Sequence, residues 1–256
     1  MMFSEYVALG DSMSIDLYPA LDAGETDVAV ALERDQSAGR VAPLGAASLF
    51  YRNAESHWPD EIGRDLVSRF PGIGFTNLAT DAATIGDVFG GQLPELAPRD
   101  DPTLITLTVG MHDVLSALAN RPRGALLEAI ARDVAKAYDA LVEAIGATRP
   151  DSLLLLTTVC DPSDRTGVIP GVLPEAGRLP LSALDALNAH IRRLAATREG
   201  AALADAYLHF LGHGTTAPDD DRWYWRRSPL EPNARGANEL RRVWLDAVDA
   251  LQRTRQ

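Results

Sequence analysis

A single cysteine, Cys160, stands in a chain of 256 residues. That excludes an internal disulfide and gives no sign of an oxidising compartment. Positive charge is also short: 24 Lys and Arg against 36 Asp and Glu leave a net charge of -12. Nucleic acid and anionic membrane surfaces are therefore excluded as partners, because their phosphates would be repelled. No apolar run approaches membrane-spanning length, and no basic segment followed by an apolar stretch opens the chain. A soluble cytoplasmic protein is the expectation. Phosphate-loop and dinucleotide signatures are missing too, since Gly72-Ile73-Gly74 precedes its β-prone segment instead of following it. No cofactor and no metal site are expected, and no pattern sets an oligomeric state.

What is present is an ordinary globular composition, 46% hydrophobic and 23% charged, long enough for a substantial core. Five β-prone segments punctuate it: Tyr6 to Leu9, Gly74 to Leu78, Leu104 to Val109, Leu153 to Val159 and Ala201 to Ala206. They are mostly continuous apolar runs, as suits strands buried on both faces of a parallel sheet. Helical periodicity lies between them. Leu126, Ile130, Val134, Tyr138, Leu141 and Ile145 share one face, as do Leu184, Leu187, Ile191 and Leu194, and then Leu240, Val243, Trp244, Val248 and Leu251. Pro150 and Gly200 are stop signals after the first two. A further helix is expected over 60–69. The alternation predicts an α/β fold, a three-layer α/β/α sandwich around a mostly parallel five-stranded sheet. The chain reads as one domain over 1–256, with a loop or helical insertion around 16–56.

Four blocks gather where an open α/β sheet builds its site, at carboxyl ends of strands and in final loops. Gly10-Asp11-Ser12 follows the first strand. Asn77, with Ala82 five residues on, follows the second. Gly110-Met111-His112-Asp113 follows the third. Glu231-Pro232-Asn233 precedes the last helix, with Gly236 in its first turns. A strand, a glycine turn and then a serine is how a hydrolase presents a nucleophile. The bland alternative for Ser12 is a turn residue capping the next helix.

On these four blocks, from Tyr6 to Leu251, the chain resembles the GDSL/SGNH hydrolases, mostly esterases, lipases and carbohydrate deacetylases. The resemblance implies a flavodoxin-like fold. It makes Ser12 the nucleophile, with Asp11 beside it in the catalytic turn. The oxyanion donors it implies are the backbone N–H of Ser12, the N–H of Ala82 where the family has glycine, and His112 where the family has asparagine. Asn77, Asp113 and Asn233 fall at block positions that face substrate or frame it. The last block departs most. Where the family reads Asp-x-x-His before Pro-Asn, Ser228 and Glu231 stand here. The implied substrate is a small-molecule carboxylic ester with a short acyl or acetyl group on a small alcohol or sugar.

Which group takes the Ser12 proton stays open on the sequence. Glutamate, with an ordinary pKa near 4.3, is a weaker base than histidine by about two units, and burial narrows that gap. His112 as base with Glu231 orienting it is a second arrangement. His209 and His213, after the fifth strand, are a third source of imidazole, although both also read as plain loop residues. A metal site built from that pair with Asp205 or 219–221 is disfavoured, because Gly212 interrupts the helix that such spacing needs. The Trp223-Tyr224-Trp225 cluster either walls the cleft or packs on the final helix. Cys160 reads as a buried strand-end residue without activation. The alternative to an esterase is a catalytically degenerate domain of the same type that binds a ligand or partner.

Overall fold

The computed structural model describes residues 2–25, 41–119, 127–173 and 177–254. Five parallel strands form its centre: β1 (Glu5–Gly10), β2 (Gly74–Asn77), β3 (Thr103–Thr108), β4 (Ser152–Thr157) and β5 (Ala201–Ala204). Their spatial order is β2-β1-β3-β4-β5. Chain order reverses direction at β1, so a crevice opens between the carboxyl ends of β1 and β3, where Gly10 pairs with Thr108. Doubly wound sheets bind their ligands at such a switch point.

Alternation along the strands explains the three layers. Tyr6, Ala8, Leu104 and Leu155 face one side, whose layer holds α2 (Ala46–Tyr51) and α7 (Ala234–Thr254), through residues such as Phe50, Leu240 and Trp244. Val7, Leu9, Ile105, Leu107, Leu154 and Leu156 face the other side, against α4 (Leu127–Thr148) and α5 (Leu181–Thr197). Both strand faces are thus apolar, which is why the strands read as continuous runs. The remaining helices used below are α1 (Leu17–Asp22), α3 (Met111–Ala119) and α6 (Ala206–Phe210).

Two points differ from the sequence reading, and two of its expectations fall partly outside the described residues. The helix expected over 60–69 is two single turns, Pro59–Glu61 and Leu66–Arg69. Gly63 at φ 79° breaks the run, and Asp65 restarts it by accepting from the Ser68 N–H at 2.7 Å. Before the last helix lies an antiparallel pair, β6 (Tyr224–Trp225) and β7 (Ser228–Pro232), which periodicity does not announce because β7 carries two prolines. Leu126, assigned above to the face of α4, lies outside the described residues, as does 26–40 within the expected insertion. The described ends of that insertion carry α1 and α2, and Asp16 ties them together by accepting from Gly45 N–H at 2.7 Å and from the Ser48 hydroxyl at 2.9 Å.

Candidate active site

The turn after β1 is fixed from three sides. Gly10 sits at φ 124°, and a Cβ there would lie 1.8 Å from the Thr108 carbonyl oxygen, so only glycine passes. The Asp11 N–H donates to that carbonyl at 2.7 Å. Gln92, buried, accepts from the Gly10 N–H at 2.8 Å and donates to the Gly10 carbonyl at 2.7 Å. The chain then doubles back, with Ser14 N–H donating to Asp11 O at 3.1 Å and Met13 N–H to Asp11 Oδ1 at 3.2 Å. Ser12 stands at the crest of this held turn, 3% exposed.

β7 brings Glu231 to the same place. Glu231 is 4% exposed, and the Ser12 hydroxyl lies close enough to favour its charged form. Burial pushes the Glu231 pKa up to about 8; the Ser12 hydroxyl opposes the rise, and the negative charges of Asp81 and Asp11 add to it. Oε2 of Glu231 is buried without a hydrogen-bond partner. Such a carboxyl binds its proton strongly and can still release it near neutrality.

His112 opens α3 and lines one cavity together with Ser12. Burial lowers its pKa, against the opposing pull of Asp81 and Asp87, so the ring is favoured in its neutral form. A neutral imidazole keeps one N–H to donate. Ala82 lies exposed on the loop after β2 at φ 53°, the left-handed conformation that glycine adopts without strain. The backbone there adopts the conformation expected of the glycine that the resemblance implies at this position. Asp81, next to it, accepts from the Tyr18 hydroxyl at 2.9 Å.

The other block residues are drawn into scaffolding. Asp113 accepts from the Ile85 N–H with both oxygens, at 3.2 and 3.0 Å, and so anchors the segment that follows Ala82. Asn77 Oδ1 accepts from Ala79 N–H at 3.1 Å while the residue lines an open groove with Asp81 and Asp87. Asn233 caps α7 through Gly236 N–H at 2.8 Å, and its amide donates to the Arg222 carbonyl at 2.7 Å. Gly236 is required there: a Cβ would meet the Trp223 carbonyl oxygen at 2.0 Å. Asp11 is a buried turn residue whose carboxyl burial pushes up to about 7.

The two late histidines are not brought to Ser12. His213 stacks on Trp223 at 3.7 Å between ring centroids, and its Nδ1 lies 2.8 Å from the Asp221 carbonyl. His209 pairs with Glu239 at 2.9 Å. Neither lines the Ser12 cavity. Cys160 is buried, and burial pushes its thiol pKa up. Within the Trp-Tyr-Trp cluster both readings apply: Tyr224 lines the cavity, Trp223 packs over the start of α7, and Trp225 lies 5.4 Å from Tyr18. Sequence reasoning missed Gln92, Tyr18 and Asp81. None sits in a recognisable pattern, and each matters only through a distant partner.

A model of the GDSL-like lipase/acylhydrolase family matches residues 8–238. The chain belongs to this family. The fold of a GDSL hydrolase is equally clear in solved structures. Phospholipase A1 from Streptomyces albidoflavus superposes with a TM-score of 0.60 at 20% identity, covering 97% of this chain and 99% of that one. The lipase from Streptomyces rimosus gives 0.53 at 20% identity, over 96% and 99%. The esterase EstA from Pseudoalteromonas gives 0.51 at 14% identity, over 98% and 99%. At these identities the likeness is one of fold. No curated protein sequence matches the chain. Among the described residues no helix is long and apolar enough to cross a membrane.

Proposed function

We propose that this GDSL-family chain is a serine hydrolase of small carboxylic esters in which a buried glutamate replaces the family's histidine as general base. The observation that carries this reading is the approach of the Ser12 hydroxyl to a Glu231 carboxyl whose pKa is raised to about 8. An ordinary glutamate is too weak a base for a serine; one tuned to about 8 matches or exceeds an ordinary imidazole.

The steps follow from these groups. Ser12 Oγ attacks the acyl carbonyl carbon while its proton passes to the Glu231 carboxylate. The carbonyl oxygen becomes an oxyanion, held by the N–H groups of Ser12 and Ala82 and by the neutral ring of His112. The tetrahedral species collapses, the C–O bond to the alcohol breaks, and the leaving oxygen takes the proton from Glu231. Water then attacks the acyl carbon with Glu231 again accepting the proton; the second tetrahedral species collapses, the bond from the acyl carbon to Ser12 Oγ breaks, Oγ takes the proton back from Glu231, and the acid leaves. The open groove past Asn77 and Asp81 accommodates the alcohol part, and the narrow cavity beside Ser12 accommodates a short acyl group.

The test is hydrolysis of short-chain p-nitrophenyl esters by wild type and Ser12→Ala, together with labelling by a fluorophosphonate. Turnover and label that both vanish with the hydroxyl support the hydrolase. No Ser12-dependent turnover and no label between mildly acidic and alkaline pH would leave a binding domain of hydrolase descent.

A further inference from the structure

The cavity that begins at Ser12 runs across the ends of β3 and β4 and is walled at its far side by Cys160 and Tyr224. Met13, Val109, Val159, Leu230 and Leu240 give it an apolar wall. Its hydroxyls differ in how they are used. Thr108 Oγ1 is paired with the Ser14 hydroxyl at 2.8 Å. Thr157 Oγ1 accepts from Trp244 Nε1 at 3.0 Å. Thr158 Oγ1 donates to Asp205 at 2.9 Å and accepts from Tyr207 N–H at 2.9 Å. The Tyr224 hydroxyl is the exception. Tyr224 is 1% exposed and its hydroxyl has no hydrogen-bond partner. Its neighbour is the Cys160 thiol, whose sulfur is a weak acceptor.

A buried phenol without a partner is uncommon, because the group gives up its bond to water and regains nothing. Tyr224 is one of the residues that wall the cavity in which, on the reading above, the acyl group lies. We infer that this cavity selects acyl groups carrying a neutral, hydrogen-bond-accepting oxygen, an ether, hydroxyl or keto oxygen, which takes the Tyr224 proton. The inference rests on the hydrolase reading for its placement of the acyl chain. Charge decides against the anionic version. Asp161 and Asp164 lie close enough to Tyr224 to act on it, and Asp11 lines the same cavity. An acyl group ending in a carboxylate would meet repulsion from these side chains. A plain alkyl chain would fit the walls and leave the phenol unpaired. Specificity of this kind, from a buried polar group that only one substrate satisfies, exceeds what a methylene in an apolar pocket supplies.

Three matched pairs of p-nitrophenyl esters test this: methoxyacetyl against butanoyl, methoxypropanoyl against pentanoyl, and methoxybutanoyl against hexanoyl. Each replaces one methylene by oxygen, at successive depths. Ratios of kcat/KM are divided by the ratios of spontaneous hydroxide hydrolysis, which removes the inductive effect of the ether. Wild type should favour the oxygen member of at least one pair by roughly tenfold, the scale of one net hydrogen bond. Tyr224→Phe should bring that ratio close to one. Cys160→Ser gives the phenol an acceptor inside the wall and should lower the preference as well, which covers a Tyr224→Phe protein that does not fold. A wild-type ratio near one for all pairs, or the same ratio in the variants, overturns the inference. If there is no Ser12-dependent turnover, the same pairs as N-methylamides are titrated and their Kd values compared. A tighter oxygen member then upholds the pocket while the hydrolase reading falls, and equal Kd values overturn the pocket too.

Discussion

The side chain of Gln92 brackets Gly10, accepting from its N–H at 2.8 Å and donating to its carbonyl at 2.7 Å. One amide thus satisfies both backbone groups of the residue that ends β1, and it also donates to Thr80 Oγ1 at 3.1 Å. The Ser12 turn is held by a residue more than eighty positions away, in the π-helical segment Val88–Gln92. Gln92→Leu keeps the volume and removes both bonds, leaving the buried Gly10 N–H without a partner while the Gly10 carbonyl keeps the Thr80 N–H at 3.1 Å. The expected loss is about 1–3 kcal/mol in urea unfolding, with kcat falling and KM changing less. An unchanged midpoint of unfolding would show that the bracket is not a structural support.

Ala82 offers a cleaner separation of backbone from side chain. At φ 53° its Cβ is strained, by roughly 1–2 kcal/mol for an L-residue in this region. Glycine relieves the strain and loses about 0.5–1 kcal/mol through the freedom of the unfolded chain. Ala82→Gly should therefore leave stability unchanged or raise it by up to about 1 kcal/mol, with activity retained. Ala82→Val, β-branched, should lower both stability and kcat. Thermal unfolding and ester turnover check the pair together, and a glycine variant that loses activity would contradict the role given to the N–H.

Much of the fold was legible because it rests on periodicity. The runs at 6–9, 104–109 and 153–159 are apolar on both faces, and their interiors match β1, β3 and β4 to within two residues at either end. The break at Gly63 and the β6-β7 pair were not, since one glycine and two prolines act through geometry that no apolar pattern records. In the site, Ser12, His112 and Glu231 could be named from ordered blocks, and the structure brings them to one end of the sheet. Gln92 and Tyr18 acquire their roles from partners 82 and 63 positions distant, Gly10 and Asp81. Spacing along the chain carries no trace of such pairs. His209 and His213 illustrate the converse: their position after β5 points to the right edge of the sheet, but Glu239 and Trp223 hold them elsewhere.

His112 should be read through its donor. If it stabilises the oxyanion, His112→Ala lowers kcat by about 10²–10³-fold, and His112→Asn, which restores an N–H donor, recovers most of it. The neutral form favoured by burial predicts no loss of activity as pH rises above neutrality on account of this ring. Equal activity in the alanine and asparagine variants would remove His112 from the oxyanion hole. His213→Ala, by contrast, should cost some stability through the lost Trp223 stack and leave the pH–rate profile in place.

Stability should also depend on pH through Glu231. Its folded pKa, about 8, lies above its ordinary value of 4.5. The folded state therefore holds a proton that the unfolded chain releases. The contribution is fully present below about pH 4.5 and is lost as pH rises through about 8. Asp11, raised to about 7, and Asp16, raised to about 6, act in the same direction. Urea midpoints should fall from mildly acidic to alkaline pH, and Glu231→Gln should flatten part of that fall and be the more stable protein at pH values above 8. A Glu231→Gln curve parallel to wild type would show that the carboxyl is not held protonated.

The pre-steady-state rate of Ser12 acylation by a short p-nitrophenyl ester, followed from pH 6 to 10 in wild type and Glu231→Gln, tests the pairing of hydroxyl and carboxyl most directly. Wild type should show a burst that rises with pH around a midpoint near 8, as the carboxylate forms. The glutamine variant should lose that step and acylate about 10²–10⁴-fold more slowly. A burst of the same rate and the same pH dependence in both proteins would contradict the account.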